Sequence, residues 1–215
     1  MRTLYERIEG MHHPKVAQTD HDVHDLIRSR WSPRAFDASR DVSRAELLRL
    51  FEAARWAPSS ENAQPWRFIV VPRDETSPSW HGLTAALTGS NPTWAASAPV
   101  LIVTVVRLRF ENRDLENPMA FYDAGQAVSL LVMQATAQGL SVRQMAGFRH
   151  DEVRAALQIP EGFDPIVISA VGYAGDPEGL ANEKHRASEK QPRRRKNVVD
   201  FVFEGVWGQE IRPAG

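Results

Sequence analysis

The chain contains no cysteine. A disulfide scaffold and thiol catalysis are therefore excluded, and any redox chemistry must use a borrowed cofactor. Long apolar runs are also missing. The longest, around residues 95–106, falls well short of the ~20 residues a membrane-spanning helix needs. The first twenty residues hold no apolar stretch that could act as a signal peptide, so a cytoplasmic protein without membrane attachment is expected. Neither sign of charge dominates: 26 Lys and Arg face 27 Asp and Glu, a formal net charge of −1, which gives no global attraction to nucleic acid. No Gly-x-Gly-x-x-Gly follows a candidate strand and no Gly-Lys-Ser/Thr occurs, so neither a dinucleotide fold nor a P-loop is indicated. Any nicotinamide must then visit the reacting cofactor without a domain of its own. Metal ligands are sparse too. His12, His13, His21 and His24 lie near the N-terminus, and His21 and His24 would share a helical face. No acidic or cysteine set completes a site, so no metal is expected.

What is present describes one ordinary globular domain. The 215 residues, 42% of them hydrophobic, suffice to bury roughly 70% of the unfolded surface in a single core. Residues 1–19 are mixed and polar and read as a flexible arm, with the domain spanning residues 20–215. A helix is expected over 20–30, with Val23, Leu26 and Ile27 on one face. Ser43 and Glu46 form a capping-box signature that opens a helix through Ala54 and ends before Pro58. Residues 66–71, 98–106, 140–145 and 165–173 read as strands, and 80–87 and 151–157 as short helices. Residues 107–117 are charged and read as an exposed excursion or lid. Residues 176–190 read as a charged loop. Residues 198–207 read as a strand or extended tail whose Phe201, Val202, Phe203 and Trp207 must dock on something.

Pro118 opens the longest helix, running to about Gly139. Ala120, Phe121, Ala124, Ala127, Val128, Leu130, Leu131, Val132, Met133 and Ala135 leave almost no polar face, so burial on every side is expected. At 1.5 Å per residue such a helix is about 33 Å long, the width of a small domain. Gly125 and Ser129 are small and one turn apart, which suits the close approach of another helix. The helix reads as the core of a dimer, with the centre of a monomer as the competing reading.

Five short stretches carry polar groups in suggestive order. Arg30-x-Ser32-x-Arg34-x-Phe36 offers two guanidinium forks for a phosphate, although arginines at a helix end also offset the helix dipole. Residues 58–66, Pro-Ser-Ser-Glu-Asn-Ala-Gln-Pro-Trp, hold hydroxyl and amide groups able to bond a polar ring edge, and they are turn formers as well. Asn91 stands in an Asn-Pro turn signature. Gly147, in Met145-Ala146-Gly147-Phe148, permits close backbone approach or simply a strand-end turn. Arg193-Arg194-Arg195-Lys196 reads as a phosphate grip, a solvated face or a nucleic-acid contact. Glu183 and Glu189 dilute that basic run.

Together these stretches resemble the FMN-dependent nitroreductase family, over roughly residues 25–208. The resemblance implies an α+β nitroreductase-like fold, a mainly antiparallel central sheet flanked by helices, in an intertwined homodimer. Its C-terminal extension would wrap the partner subunit. It implies FMN at the subunit interface, with Arg30, Trp31, Ser32 and Arg34 at the ribityl chain and phosphate. Many members carry a basic residue where Trp31 stands, a position that can serve through its backbone. Pro58, Ser59, Ser60, Asn62 and Gln64 would lie along the ring and ribityl chain, and Asn91 near the ring. Met145, Ala146 and Gly147 would present backbone to the N5 side, and Arg193 and Arg195 would grip the phosphate. NAD(P)H would be the co-substrate, passing hydride through flavin N5. An electron-poor small molecule, such as a nitroaromatic or quinone, would follow in ping-pong order. No catalytic side chain is implied. A flavin-destroying or dehalogenating branch is the neighbouring alternative, and a nucleic-acid-binding protein using residues 193–196 is the alternative of another class.

Overall fold

The computed structural model describes residues 15–113 and 115–211. Residues 1–14, with His12 and His13 and most of the expected arm, lie outside the described residues.

Four strands build one sheet: β1 (Trp66–Pro72), β2 (Val100–Arg107), β3 (Ser141–Met145) and β4 (Phe163–Gly172). Their spatial order is β1-β2-β4-β3, and every neighbouring pair is antiparallel. In β2 successive side chains point to opposite faces, and both faces are covered. Leu101, Val103 and Val105 enter one core while Val100, Ile102 and Val106 enter the other. This double burial is why β2 reads as a nearly continuous apolar run, interrupted at Thr104, rather than an alternation.

Helices α2 (Arg44–Arg55) and α4 (Ala120–Ala137) cover one face. Helices α3 (Pro78–Ala85) and α5 (His150–Ala156) cover the other. The expected capping box is complete: Ser43 Oγ accepts from the Glu46 amide at 3.2 Å, and Glu46 Oε2 accepts from the Ser43 amide at 2.8 Å. Glu46 Oε1 also accepts from the Tyr173 hydroxyl at 2.6 Å, tying the start of α2 to the chain just beyond β4.

Three expectations are corrected. The first helix, α1, covers only Asp25–Ser29, because His24 turns its Nδ1 onto the Leu26 amide and caps the helix there. His21 and His24 therefore share no helical face. Residues 176–190 are not a loop throughout: Asn182 caps helix α6 (Glu183–Lys190) by accepting from the amides of Lys184 and His185. Residues 198–207 form no strand. A 3₁₀ turn at Val198–Asp200 leads into a small loop in which Phe203 and Trp207 pack ring to ring at 4.9 Å. Phe201 is 60% and Trp207 90% exposed in the single chain.

Within the single chain, helix α4 is buried on one face. Ala120, Ala124, Ala127, Val128, Leu131 and Ala135 are buried against the sheet and α2, whereas Phe121, Tyr122 and Leu130 are exposed. One chain thus covers one face of this helix and leaves an apolar face open.

Candidate functional site

The chain leaves α1 at Arg30 and crosses beside β3, where Arg34 meets the end of α6. Residues Lys15, Arg30, Trp31, Ser32, Arg34, Arg143, Ser188, Glu189, Arg193 and Arg195 line one pocket of about 240 Å³. The first arginine motif and the C-terminal basic run, more than 150 residues apart, are therefore neighbours. Six of the lining side chains are cationic and one is anionic.

Five of the six cations have a structural reason for their place. Arg193 donates through both terminal nitrogens, to the carbonyls of Arg30 and Arg28, satisfying the C-terminal end of α1. This turns the basic run inward at that residue. Arg30 Nη1 donates to Ser32 Oγ at 2.9 Å. Arg143 Nη1 donates to the Ser32 carbonyl at 2.5 Å, and its guanidinium lies 5.3 Å from the Trp94 ring centre. Lys15 Nζ donates to the carbonyls of Ser188 and Gln191, each at 2.6 Å, so the chain is docked well before residue 20. Glu189, 3% exposed, accepts from the Arg34 amide at 3.1 Å and stands 3.6 Å from Arg34 Nη1.

Crowding these charges away from water weakens their hold on protons. Burial lowers the Arg143 guanidinium to about 10, with Arg34 adding to the fall and Glu189 opposing it. Burial also lowers Arg30, helped by Arg195, and lowers Arg193, helped by Arg30 and Arg195. The Lys15 ammonium is lowered by burial against the opposing pull of Glu189. Arg34 Nε and Arg193 Nε are buried without a hydrogen-bond partner. Mutually repelling cations with unused donors are the arrangement a bound dianion relieves. The pocket fits a phosphate group.

A second pocket, of about 310 Å³, shares Arg30, Ser32 and Arg195 with the first and adds Gly125, Ser129, Val132, Met133, Val142 and Gln144. The cationic site thus opens onto the small-residue face of α4.

Residues 58–64 sit elsewhere on the single chain. The Ser60 amide donates to the buried Asp123 carboxylate of α4 at 3.0 Å. Ser59 Oγ accepts from the Gln64 amide at 3.1 Å, and Gln64 Nε2 donates to Asn62 Oδ1 at 3.1 Å. Pro58, Asn62 and Gln64 are exposed. Glu61, Asn62 and Gln64 have φ of 53°, 53° and 45°, left-handed backbone that side chains other than glycine adopt at a cost. Glu61 pairs with Arg113, and together with Asn62, Ala63, Phe110, Glu111 and Asn112 they line a cleft of about 300 Å³.

At the end of β3 the Gly147 carbonyl accepts from the Thr88 amide at 2.9 Å and from Asn91 Nδ2 at 3.1 Å. A Cβ on Gly147 would stand 3.0 Å from that amide nitrogen. Asn91 and Gly147 are therefore brought together. Met145 is buried and Ala146 exposed.

Lys15, Arg143 and Glu189 are not among the residues the sequence singled out. The one signal for Arg143 was its place as a charged residue within a short expected strand. Among the described residues no group of three or more His, Asp or Glu is placed to hold a metal ion, and no helix is long and apolar enough to cross a membrane.

A model of the nitroreductase family matches residues 27–87 and 80–173. A solved structure described as an oxidoreductase containing FMN superposes with a TM-score of 0.81 at 33% identity, covering 90% of this chain and 96% of that one. An uncharacterized 15.4 kDa protein of Mycolicibacterium smegmatis is 32% identical over 155 residues, 67% of this chain and 99% of its own length. The major NAD(P)H-flavin oxidoreductase of Aliivibrio fischeri is 31% identical over 94 residues, 44% of this chain and 43% of its own.

Proposed function

This chain belongs to the nitroreductase family, and from that premise we propose that it is an FMN-dependent NAD(P)H oxidoreductase. Its acceptors would be nitroaromatics, quinones or related electron-poor molecules. The observation that carries the reading is the convergence of Arg30, Arg34, Arg193 and Arg195 on one pocket, with buried guanidinium nitrogens left unpaired.

In this reading Arg30, Ser32, Arg34, Arg193 and Arg195 hold the FMN phosphate and ribityl chain, with Trp31 contributing backbone. Pro58, Ser59, Ser60, Asn62 and Gln64 serve the ring and ribityl edge, and Asn91, Met145, Ala146 and Gly147 the far side of the ring. When bound, FMN supplies reversible two-electron chemistry that no side chain of this cysteine-free sequence offers. The protein's own part is placement and electrostatics. Arg30, Arg34, Arg143 and Arg193 are half-buried, where a fixed positive field acts more strongly on an anion than it would in open water, and Arg195 is exposed beside them. No acid or base side chain is assigned a proton-transfer role. The nicotinamide and the acceptor use one site in turn.

A homodimer belongs to the same proposal. Phe121, Tyr122 and Leu130 leave an apolar face open on α4, and the cationic site opens onto Gly125 and Ser129 of that helix. A partner covering this seam would enclose the flavin and bury residues such as Phe201 and Trp207 of the tail.

The test is the visible spectrum of the purified protein, followed by separate additions of NADH and NADPH under nitrogen. A yellow protein bleached by at least one of them is expected. A colourless preparation that takes up no added FMN would end the reading.

A further inference from the structure

Phosphate binding explains the cations of the pocket but not Glu189. A carboxylate 3% exposed, among groups that would grip a phosphate, repels the ligand they attract. Its surroundings are specific. Oε2 accepts from the Arg34 amide and Oε1 faces Arg34 Nη1. Glu189 lies in the last turn of α6, between Ser188 and Lys190, and the carbonyls of Ser188 and Gln191 hold the Lys15 ammonium. One helix end therefore gathers Arg34 and Lys15 from the N-terminal part of the chain. Among the described residues lining the pocket it is the single carboxylate facing six cations. Without it, the cluster would have no internal charge to offset its repulsion whenever the pocket holds no anion.

We propose that Glu189 is a resident counter-charge: it keeps the cationic pocket assembled before the flavin arrives and weakens the flavin's hold once it is bound. The proposal rests on the reading of this pocket as the FMN phosphate site. Glu189 is a positioning residue here, acting through Arg34. Its consequence is that flavin affinity is set below what the cations alone would give.

Glu189→Gln separates the two effects, because glutamine keeps an oxygen for the Arg34 amide and removes the charge. Thermal melting in chloride buffer should fall by several degrees. FMN titrated into flavin-free protein and followed by fluorescence quenching should bind about tenfold tighter than to wild type, with a steeper loss of affinity as salt rises. Inorganic phosphate should raise the melting temperature of the variant more than that of the wild type. If the variant folds and binds FMN and phosphate no more tightly than wild type, the proposal fails while the phosphate site stands. If wild type binds neither FMN nor phosphate, the site assignment itself fails. A variant that will not fold in chloride but folds in phosphate of equal ionic strength supports the proposal; one that folds in neither overturns it.

Discussion

Ser60 donates its amide to Asp123 across 3.0 Å, and Asp123 is 2% exposed. This bond fastens the 58–64 loop to the first turns of α4, just before three residues in left-handed backbone. Asp123→Ala leaves the Ser60 amide without its partner. A hydrogen bond to a charged group contributes about 1.5–3 kcal/mol, so a stability loss of about 2 kcal/mol in urea unfolding is expected. Flavin affinity should fall as well, since the loop proposed to meet the ring loses its tether. Unchanged FMN binding in a folded Asp123→Ala protein would remove this loop from the flavin site.

Arg195 and Arg194 are adjacent, yet only Arg195 lines the cationic pocket. Arg195→Ala should raise the FMN dissociation constant at least about tenfold, the equivalent of one lost charge-assisted bond. Arg194→Ala should retain wild-type flavin content after gel filtration. Equal losses in the two variants would mean that net charge, and not the pocket, governs retention.

Acid should loosen the start of α2. Hydrogen bonds from Ser43 and Tyr173 hold the Glu46 carboxyl below the usual glutamate value. A carboxyl depressed in the folded state adds stability above its unfolded value, near 4.3, and loses it as pH falls through the folded value. Ser43→Ala should cost about 1 kcal/mol at neutral pH. It should also flatten the decline in stability below pH 5, as read by denaturant titrations at several pH values.

Gly82 of α3 faces Ala156 of α5, whose Cβ would stand 2.6 Å from a Cβ added at Gly82. Alanine gains about 1 kcal/mol of helix propensity over glycine, but overpacking a tight contact costs about 1–3 kcal/mol. The second effect should win, and Gly82→Ala should lower the melting temperature. A more stable variant would show that α3 and α5 can part at little expense.

Much of the fold was legible in the sequence because its signals were local. The Ser43-x-x-Glu46 box and the β-branched run of β2 each depend on a few consecutive residues, whereas α4 starts at Ala120, behind a Met119 cap, and not at the expected Pro118. The failures were also local in origin. His24 starts the helix at its own capping side chain, which hydropathy does not register, and the Asn182 cap of α6 was hidden in a charged stretch. In the site, the arginine motif and the basic run were legible as residue types. Lys15, Arg143 and Glu189 were not, because their roles come from tertiary neighbours: α6 carbonyls for the lysine, Ser32 and Trp94 for the arginine, Arg34 for the glutamate.

The cationic pocket draws on Lys15 and on Arg195, 180 residues later. During synthesis from the N-terminus, the sheet-forming segments leave the ribosome before that last arginine does. If this pocket holds the FMN phosphate, as proposed, its grip is complete only after Arg195 has emerged, so the flavin would load behind all four strands of the sheet.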